Sequence, residues 1–276
     1  MLSNKYKNIG CVFNHASPLA VQVFHELLVR CPGVAKIDVL SEYSLTTIEK
    51  GCEYDLVITI GGDGLMLKAL HHFMGSNVPV FGINCGSIGF LLNDYVCLEN
   101  FIECVENAVY TILHPLEMVA ITEDSKEHRA LAVNEVSLLR QTHQSAKISV
   151  SINNKTRLEQ LSGDGIMVST PAGSSAYNFA AHGPIIPLEA NVLLLTPINA
   201  FRPRRWHGAL IPRNSAIKFD VLDCKKRPVN SVADFKEVVN VMSVEIIERK
   251  DISMILLFDS KNPYEERILK EQFMCY

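Results

Sequence analysis

The sequence has no unbroken apolar stretch of 18 residues, the length that a membrane-spanning helix requires. Its opening segment, MLSNKYKNIG, carries lysines with no apolar run behind them long enough for a secretory leader. Neither export nor membrane insertion is expected, and the cytoplasm is the expected location. No C-x-x-C pair occurs either. Cys11, Cys31, Cys52, Cys85, Cys97, Cys104, Cys224 and Cys275 are scattered without ligand-like grouping with histidine, so reduced thiols are expected rather than a metal site. Positive charge is not in excess: 26 Lys and Arg face 30 Asp and Glu, a formal net charge of -4. That balance argues against a broad nucleic-acid partner, while a polyphosphate needs only a local cationic patch. Internal repeats and low-complexity linkers are absent as well. With 276 residues, 48% of them hydrophobic, the chain can bury one large or two modest cores, and two domains are expected.

What is present begins with alternation. Ile9 to Phe13, Lys36 to Leu40, Leu56 to Ile60 and Val78 to Ile83 read as short buried strands, and Pro18 to Cys31, Leu65 to Phe73 and Leu98 to Ile112 as helices. Such alternation predicts an α/β layer structure with a mainly parallel sheet, whose ligands sit beyond the carboxyl ends of the strands. From about Met118 the texture changes to strands joined by polar turns. Lys147 to Ile152, a turn at Asn153-Asn154 and Thr156 to Leu161 exemplify it, so a β-rich second domain is expected.

Within the first part, YDLVITIGGDGLMLK (Tyr54 to Lys68) reads as strand, glycine turn and helix. Gly61, Gly62 and Gly64 leave no side chains to block a ligand approaching the turn. Asp63 stands at the helix mouth, where it either caps the helix or serves a site. The Lys-Ser/Thr pair of a Walker loop and the G-x-G-x-x-G of a dinucleotide fold are both missing. Because a carboxylate repels phosphate, Asp63 suits a sugar hydroxyl, a proton or a metal ion. Gly82 to Phe90, GINCGSIGF, forms a second glycine-rich loop expected to shape the same crevice.

Farther on, Gly163-Asp164-Gly165 by itself reads as a hairpin turn between Thr156 to Leu161 and Ile166 to Ser169. Thr170 to Ser175 then forms a small-residue loop feeding a helical segment, Ala176 to Ala181, stopped at Gly183-Pro184. Ser174 or Ser175 could cap that helix, and Tyr177 offers an aromatic face to a flat ring. His71-His72 lacks the spacing of a metal-binding helix face, which favours a surface or packing role. Arg202, Arg204 and Arg205 could meet phosphates or equally form ion pairs at a subunit contact. Trp206 is expected to anchor packing or an interface.

Four blocks, Gly61-Gly62-Asp63-Gly64, Asn134-Glu135, Gly163-Asp164-Gly165 and Thr170 to Tyr177, occur in the order found in NAD kinases, and the chain resembles that family from about Ile9 to at least Val244. Phe201 to Pro212 and Lys226 to Val238 further resemble its alpha-proteobacterial branch. The resemblance implies an N-terminal α/β domain (1-116 plus about 250-276), a β-rich NAD-binding domain (117-249) and a carboxyl tail returning to the first, with Tyr264 to Phe273 as a helical candidate. It implies phosphorylation of the 2'-hydroxyl of the adenosine ribose of NAD, with ATP or another donor and a divalent metal, magnesium being expected. Asp63 is implied as general base, with Gly64 beside it at the ribose. Asn134 and Glu135 would grip NAD around its adenosine. Asp164, Ala172, Ser175, Ala176, Tyr177, Asn178 and Ala180 would receive the nicotinamide end and more of the dinucleotide. Ser175 stands where Thr is commoner and His182 where Gly is. Val232-Ala233-Asp234-Phe235 departs from the usual Val-Asp-Gly, which leaves Asp234 unassigned. A homodimer or homotetramer is implied too. A lipid kinase of the diacylglycerol or sphingosine type, which shares the Gly-Gly-Asp-Gly turn, and a non-catalytic NAD(H) sensor are the alternatives.

Overall fold

The structure, a computed structural model, describes residues 6–31, 36–40, 54–86, 89–95, 101–261 and 264–273. In chain order the elements begin with β1 (Asn8–Phe13), α1 (Pro18–Arg30), β2 (Lys36–Leu40), β3 (Leu56–Gly61), α2 (Asp63–His72), β4 (Pro79–Asn84), α3 (Phe101–Glu106) and β5 (Val109–Leu113). There follow β6 (Leu116–Thr122), β7 (Glu127–Ala132), β8 (Glu135–Arg140), β9 (Ala146–Ile152), β10 (Lys155–Gly163) and β11 (Gly165–Ser169). A 3-10 turn at Ala172–Ser175 leads to α4 (Tyr177–Ala180), then β12 (Val192–Ile198), β13 (Ala209–Pro212), β14 (Ile217–Val221), β15 (Val229–Ala233), β16 (Lys236–Val238), β17 (Val241–Glu248), β18 (Met254–Phe258) and α5 (Tyr264–Gln272). The chain divides into two compact units, Met1–Leu113 with Ile252–Tyr276, and His114–Asp251.

The first unit is built on one sheet ordered β2-β1-β3-β4-β18-β5. Its first five strands run parallel and β5 closes the edge antiparallel to β18. Every residue of β3 is buried, as the continuous apolar run predicts for a strand covered on both faces. Ser17 caps α1 by accepting from the N–H of Ala20, Pro18 stands at its start, and Ala20, Val23, Phe24 and Leu27 form its buried stripe. The carboxyl tail returns as expected, supplying β18 and α5.

One expected helix is only partly there. Of Leu98 to Ile112, Leu98 to Asn100 lie outside the described residues, Phe101–Glu106 is helical, and Val109–Leu113 is a strand. Val109, Tyr110 and Ile112 fit helical spacing, yet β-branched and aromatic side chains also favour strands, and pairing with Met254–Phe258 decides the outcome.

The second unit contains two antiparallel six-stranded sheets, ordered β10-β9-β14-β17-β6-β7 and β13-β12-β11-β8-β15-β16. Buried residues of both, among them Met118, Ile148, Phe219 and Val244 from one and Val136, Leu138, Ile166 and Leu193 from the other, join in a single core. Trp206 packs against its margin, in agreement with the packing role expected of it. The hairpin of β9 and β10 turns at Asn153 (φ 52) and Asn154 (φ 61), both left-handed as this two-residue turn demands.

Gly163-Asp164-Gly165 is not a hairpin. β10 ends at Gly163 paired to β9 in one sheet, and β11 starts at Gly165 between β8 and β12 in the other. Asp164 is therefore the point where the chain changes sheet, and the flanking glycines permit the close passage. A Cβ on Gly165 would lie 1.9 Å from the carbonyl oxygen of Leu138. Gly165→Ala is expected to destabilise the second unit by at least about 2 kcal/mol, because backbone must move to admit the methyl. Urea denaturation followed by fluorescence of the one tryptophan, Trp206, measures it.

Candidate active site

In the first unit Gly62 is the N-cap of α2, with extended angles (φ -108, ψ 179), and Asp63 is the first residue inside the helix. Asp63 does not cap its own helix. Its Oδ2 accepts from the N–H of Phe90 at 3.1 Å and its Oδ1 from that of Leu91 at 3.1 Å. The carboxylate thus joins the mouth of α2 to Phe90 and Leu91, at the end of the glycine-rich stretch that begins within β4. Burial pushes its pKa above the ordinary aspartate value, while the two N–H groups and the guanidinium of Arg267 pull it back. Asp63 is accordingly a better proton acceptor than a free aspartate.

Its glycines do different work. A Cβ on Gly62 or Gly64 would meet nothing within 4 Å, so both leave open space next to the carboxylate. On Gly61 it would press on Leu65 Cδ2 at 2.9 Å, and on Gly82 it would come within 2.4 Å of both Leu92 Cδ2 and Met66 Cε, so these two serve packing. His72 sets its ring edge-on to Phe73 with centroids 4.7 Å apart, a packing contact, which is one of the two roles expected of it.

In the second unit Asn134 and Glu135 stand where the chain enters β8. Asp234, in the left-handed region (φ 51) between β15 and β16, fixes them. Its carboxylate accepts from the N–H groups of Val133 at 2.6 Å, Asn134 at 3.0 Å and Glu135 at 3.2 Å. From the other side the carbonyl of Asn134 accepts from the N–H of Thr170 at 2.9 Å and the hydroxyl of Ser169 at 3.2 Å. Gly173 must be glycine here, since a Cβ would lie 2.2 Å from that same carbonyl oxygen.

The backbone of the pair is held, but its side chains are not. Oδ1 of Asn134 and Oε2 of Glu135 are buried without a hydrogen-bond partner. A buried polar atom left in this state is costly unless a ligand satisfies it. Burial, and then the negative charge of Asp234, pushes the pKa of Glu135 up to about 8. At neutral pH Glu135 is largely protonated and offers both an O–H donor and acceptors, which suits a partner bearing hydroxyl or amino groups.

This shift has a stability consequence with a definite sign. The folded protein holds a proton on Glu135 that the unfolded chain, with its ordinary value of 4.5, releases. Folding therefore gains from that proton below about pH 4.5, and the gain fades as pH rises toward 8. Glu135→Gln, which cannot ionise, should flatten this fall. Denaturant midpoints for both proteins between pH 5 and 9 measure it, and parallel curves would contradict the shift.

The other residues implied by resemblance divide by what holds them. Asp164 is engaged at both oxygens, by Arg140 Nε at 2.6 Å and Asn199 Nδ2 at 2.9 Å. Ala172 is buried in the 3-10 turn. Ser175, partly buried, donates to the carbonyl of Ala172 at 3.4 Å. Ser174 is fully buried, donating to the carbonyl of Pro171 at 2.6 Å and accepting from the N–H of Ile186 at 3.2 Å. Neither serine caps the following helix, which spans Tyr177–Ala180 with Ala176 (φ -93, ψ -128) as its N-cap, inside the segment Ala176 to Ala181 expected to be helical. The serine hydroxyls bind loop carbonyls instead.

Asn178 is buried with both ends of its amide used. Nδ2 donates to the carbonyls of Ser174 and Pro184 at 3.0 Å each, and Oδ1 accepts from Thr196 at 2.6 Å. It braces the loop. Tyr177, by contrast, is exposed, as is Ala180. Burial first, then the charges of Glu135 and Asp164, raises the Tyr177 pKa, so the phenol lies in the field of both carboxyls.

Comparison with known proteins adds a separate line of support. Residues 35–112 match the family model of the ATP-NAD kinase N-terminal domain and residues 133–262 that of the ATP-NAD kinase C-terminal domain. The chain is 50% identical to the NAD kinase of Caulobacter vibrioides over 218 residues, 79% of this chain and 84% of the relative. The chain belongs to the NAD kinase family. The NAD kinase of Brucella suis biovar 1 is 48% identical over 239 residues, 87% of this chain and 91% of its own length. The relatives include alpha-proteobacterial NAD kinases. The same fold occurs in yeast NADH kinase complexed with NADH, with a TM-score of 0.82 at 19% identity over 99% of this chain and 90% of that one. It recurs in an Archaeoglobus fulgidus NAD kinase in complex with ATP, with a TM-score of 0.72 at 20% identity over 94% and 98%.

Proposed function

We propose that this member of the NAD kinase family phosphorylates the 2'-hydroxyl of the adenosine ribose of NAD, with ATP as donor, to give NADP and ADP. The observation that carries the proposal is the state of Asp63: a partly buried carboxylate, raised in basicity, fixed by two backbone N–H groups and flanked by open glycines. In the reaction a bond forms between the ribose 2'-oxygen and the γ-phosphorus, and the bond from that phosphorus to the β,γ-bridging oxygen breaks. The 2'-hydroxyl proton passes to Asp63. Proton acceptance late in a loose transition state requires good placement more than strong basicity. Gly64 leaves room for the ribose.

Asn134 Oδ1 and the Glu135 carboxyl are the groups assigned to the adenosine, where a ligand would satisfy atoms that otherwise stay unpaired. Tyr177 offers its ring, and Ala172, Ser175, Ala176 and Ala180 line the loop assigned to the rest of the dinucleotide. Asp164 and Asn178 are assigned supporting positions there, because their side chains are already engaged. Among the described residues no group of three His, Cys, Asp or Glu side chains could hold a metal ion. Magnesium is therefore assigned to the triphosphate, which brings most of its ligands along with water. It would neutralise the phosphates.

The test mixes the protein with NAD, ATP and magnesium and measures NADP with an NADP-specific dehydrogenase. NADP formation supports the proposal. Binding of NAD without turnover would favour a sensor, and labelled phosphate appearing on diacylglycerol in place of NAD would favour a lipid kinase. A homodimer or homotetramer in the cytoplasm remains part of the proposal through family resemblance, and light scattering measures the assembly.

A further inference from the structure

The carboxyl tail does more in this fold than complete a sheet. Arg267, on α5, donates through Nη1 to the carbonyls of Phe90, at 3.2 Å, and Leu92, and through Nη2 to Asn93 Oδ1 at 3.2 Å. Phe90 and Leu91 are the residues whose N–H groups hold the Asp63 carboxylate. The guanidinium is partly shielded from water, its carbon 5.2 Å from the centre of the Phe258 ring. Asn93, fully buried, locks the far end of the segment: Nδ2 donates to the carbonyls of Gly82 and Leu257 at 3.0 Å each, and Oδ1 also accepts from the N–H of Asp259 at 2.8 Å.

We propose that Arg267 is a positioning residue for the phosphoryl-transfer step, clamping Phe90 to Asn93 so that their N–H groups hold the Asp63 carboxylate where it receives the hydroxyl proton. The inference rests on the reading of Asp63 as base. Asp63 itself is the first helical residue of a segment that presents it no further charge, and Phe90 and Leu91 present only N–H groups. From α5 it faces Arg267. Arg267 in turn faces Asp94, Asp259 at the end of β18 and the phenol of Tyr264. A cation partly withdrawn from water is costly to keep, and three hydrogen bonds to one segment, two of them to its backbone, are what it provides in return.

Two variants separate charge from geometry. Arg267→Met removes both; Arg267→Lys keeps the charge and loses the planar fork. Expected for Arg267→Met is a fall in kcat of about 10- to 100-fold with KM for NAD changed less than about threefold, because only the reacting geometry is disturbed. The Asp63 carboxyl, assigned by its absence in Asp63→Asn and followed by carbon-13 NMR of labelled aspartate, should titrate at higher pH than in the original protein. Arg267→Lys should lose kcat while titrating Asp63 closer to the original midpoint. If Arg267→Met does not fold, Arg267→Lys alone decides.

Original kcat and an unmoved Asp63 midpoint in a folded variant would overturn the proposal. So would a loss of kcat with the Asp63 midpoint unmoved in Arg267→Met, which would make Arg267 a packing residue only. The base reading fails differently: Asp63→Asn would then keep full turnover, whatever the Arg267 variants do to the titration.

Discussion

Asp63→Asn is expected to lower kcat by at least about 100-fold while the dissociation constant for NAD stays within about tenfold. The amide preserves the shape of the side chain, so ribose contacts made by neighbouring backbone persist. What disappears is the capacity to take a proton. The substitution also turns one oxygen into an NH2 group, which must face one of the two N–H donors, Phe90 or Leu91. That mismatch costs about 1 to 3 kcal/mol of local stability, since a donor is left without an acceptor. Thermal unfolding separates this loss from the chemical one. Unchanged turnover would remove Asp63 from the role of base.

Asp234→Ala should act on binding instead. It withdraws one acceptor group from three backbone donors, Val133, Asn134 and Glu135, and leaves an alanine in left-handed backbone at φ 51. The expected loss is about 2 to 5 kcal/mol of stability from the orphaned N–H groups and the strained residue. NAD affinity should fall about 10- to 100-fold, because the Asn134 and Glu135 side chains are aimed by the backbone that Asp234 holds. The Glu135 pKa should fall from about 8, as its negative neighbour is gone. Asp234→Asn, which retains an acceptor, should be intermediate in affinity. Titration calorimetry with NAD measures the series, and an unaltered dissociation constant for Asp234→Ala would contradict the role.

Much of this was legible in the residues. The apolar run at Leu56 to Ile60 and the three glycines after it predict β3, the turn and α2, because local backbone freedom and periodicity govern them. The paired asparagines at 153 and 154 likewise announce their turn. Asp63 stood out in the sequence as a candidate site residue, but its hydrogen bonds did not, since Phe90 and Leu91 lie 27 and 28 residues away. Long-range pairing also overrode local signals at Val109–Leu113, where a helical pattern yields to β18, and at Asp164, where an Asp-Gly turn becomes a passage between sheets.

Asp234 shows the limit most clearly. Its departure from the family pattern left it unassigned, whereas its carboxylate reaches 99 to 101 residues back to brace the Asn-Glu pair. An aspartate in the short turn between β15 and β16 was the local hint. Arg267 had no signal beyond the helical composition of the tail, because two of its three hydrogen-bond partners are backbone carbonyls that any residue would supply, and all three lie 174 to 177 residues away.

Central to the account is the meeting of the Asp63 carboxylate and one ribose hydroxyl. A crystal structure of the protein with NAD bound tests it directly. The adenosine 2'-oxygen should lie about 2.6 to 3.2 Å from a carboxylate oxygen of Asp63, within reach of proton transfer. A 2'-hydroxyl turned toward another carboxylate, with Asp63 contacting no part of the sugar, would contradict it.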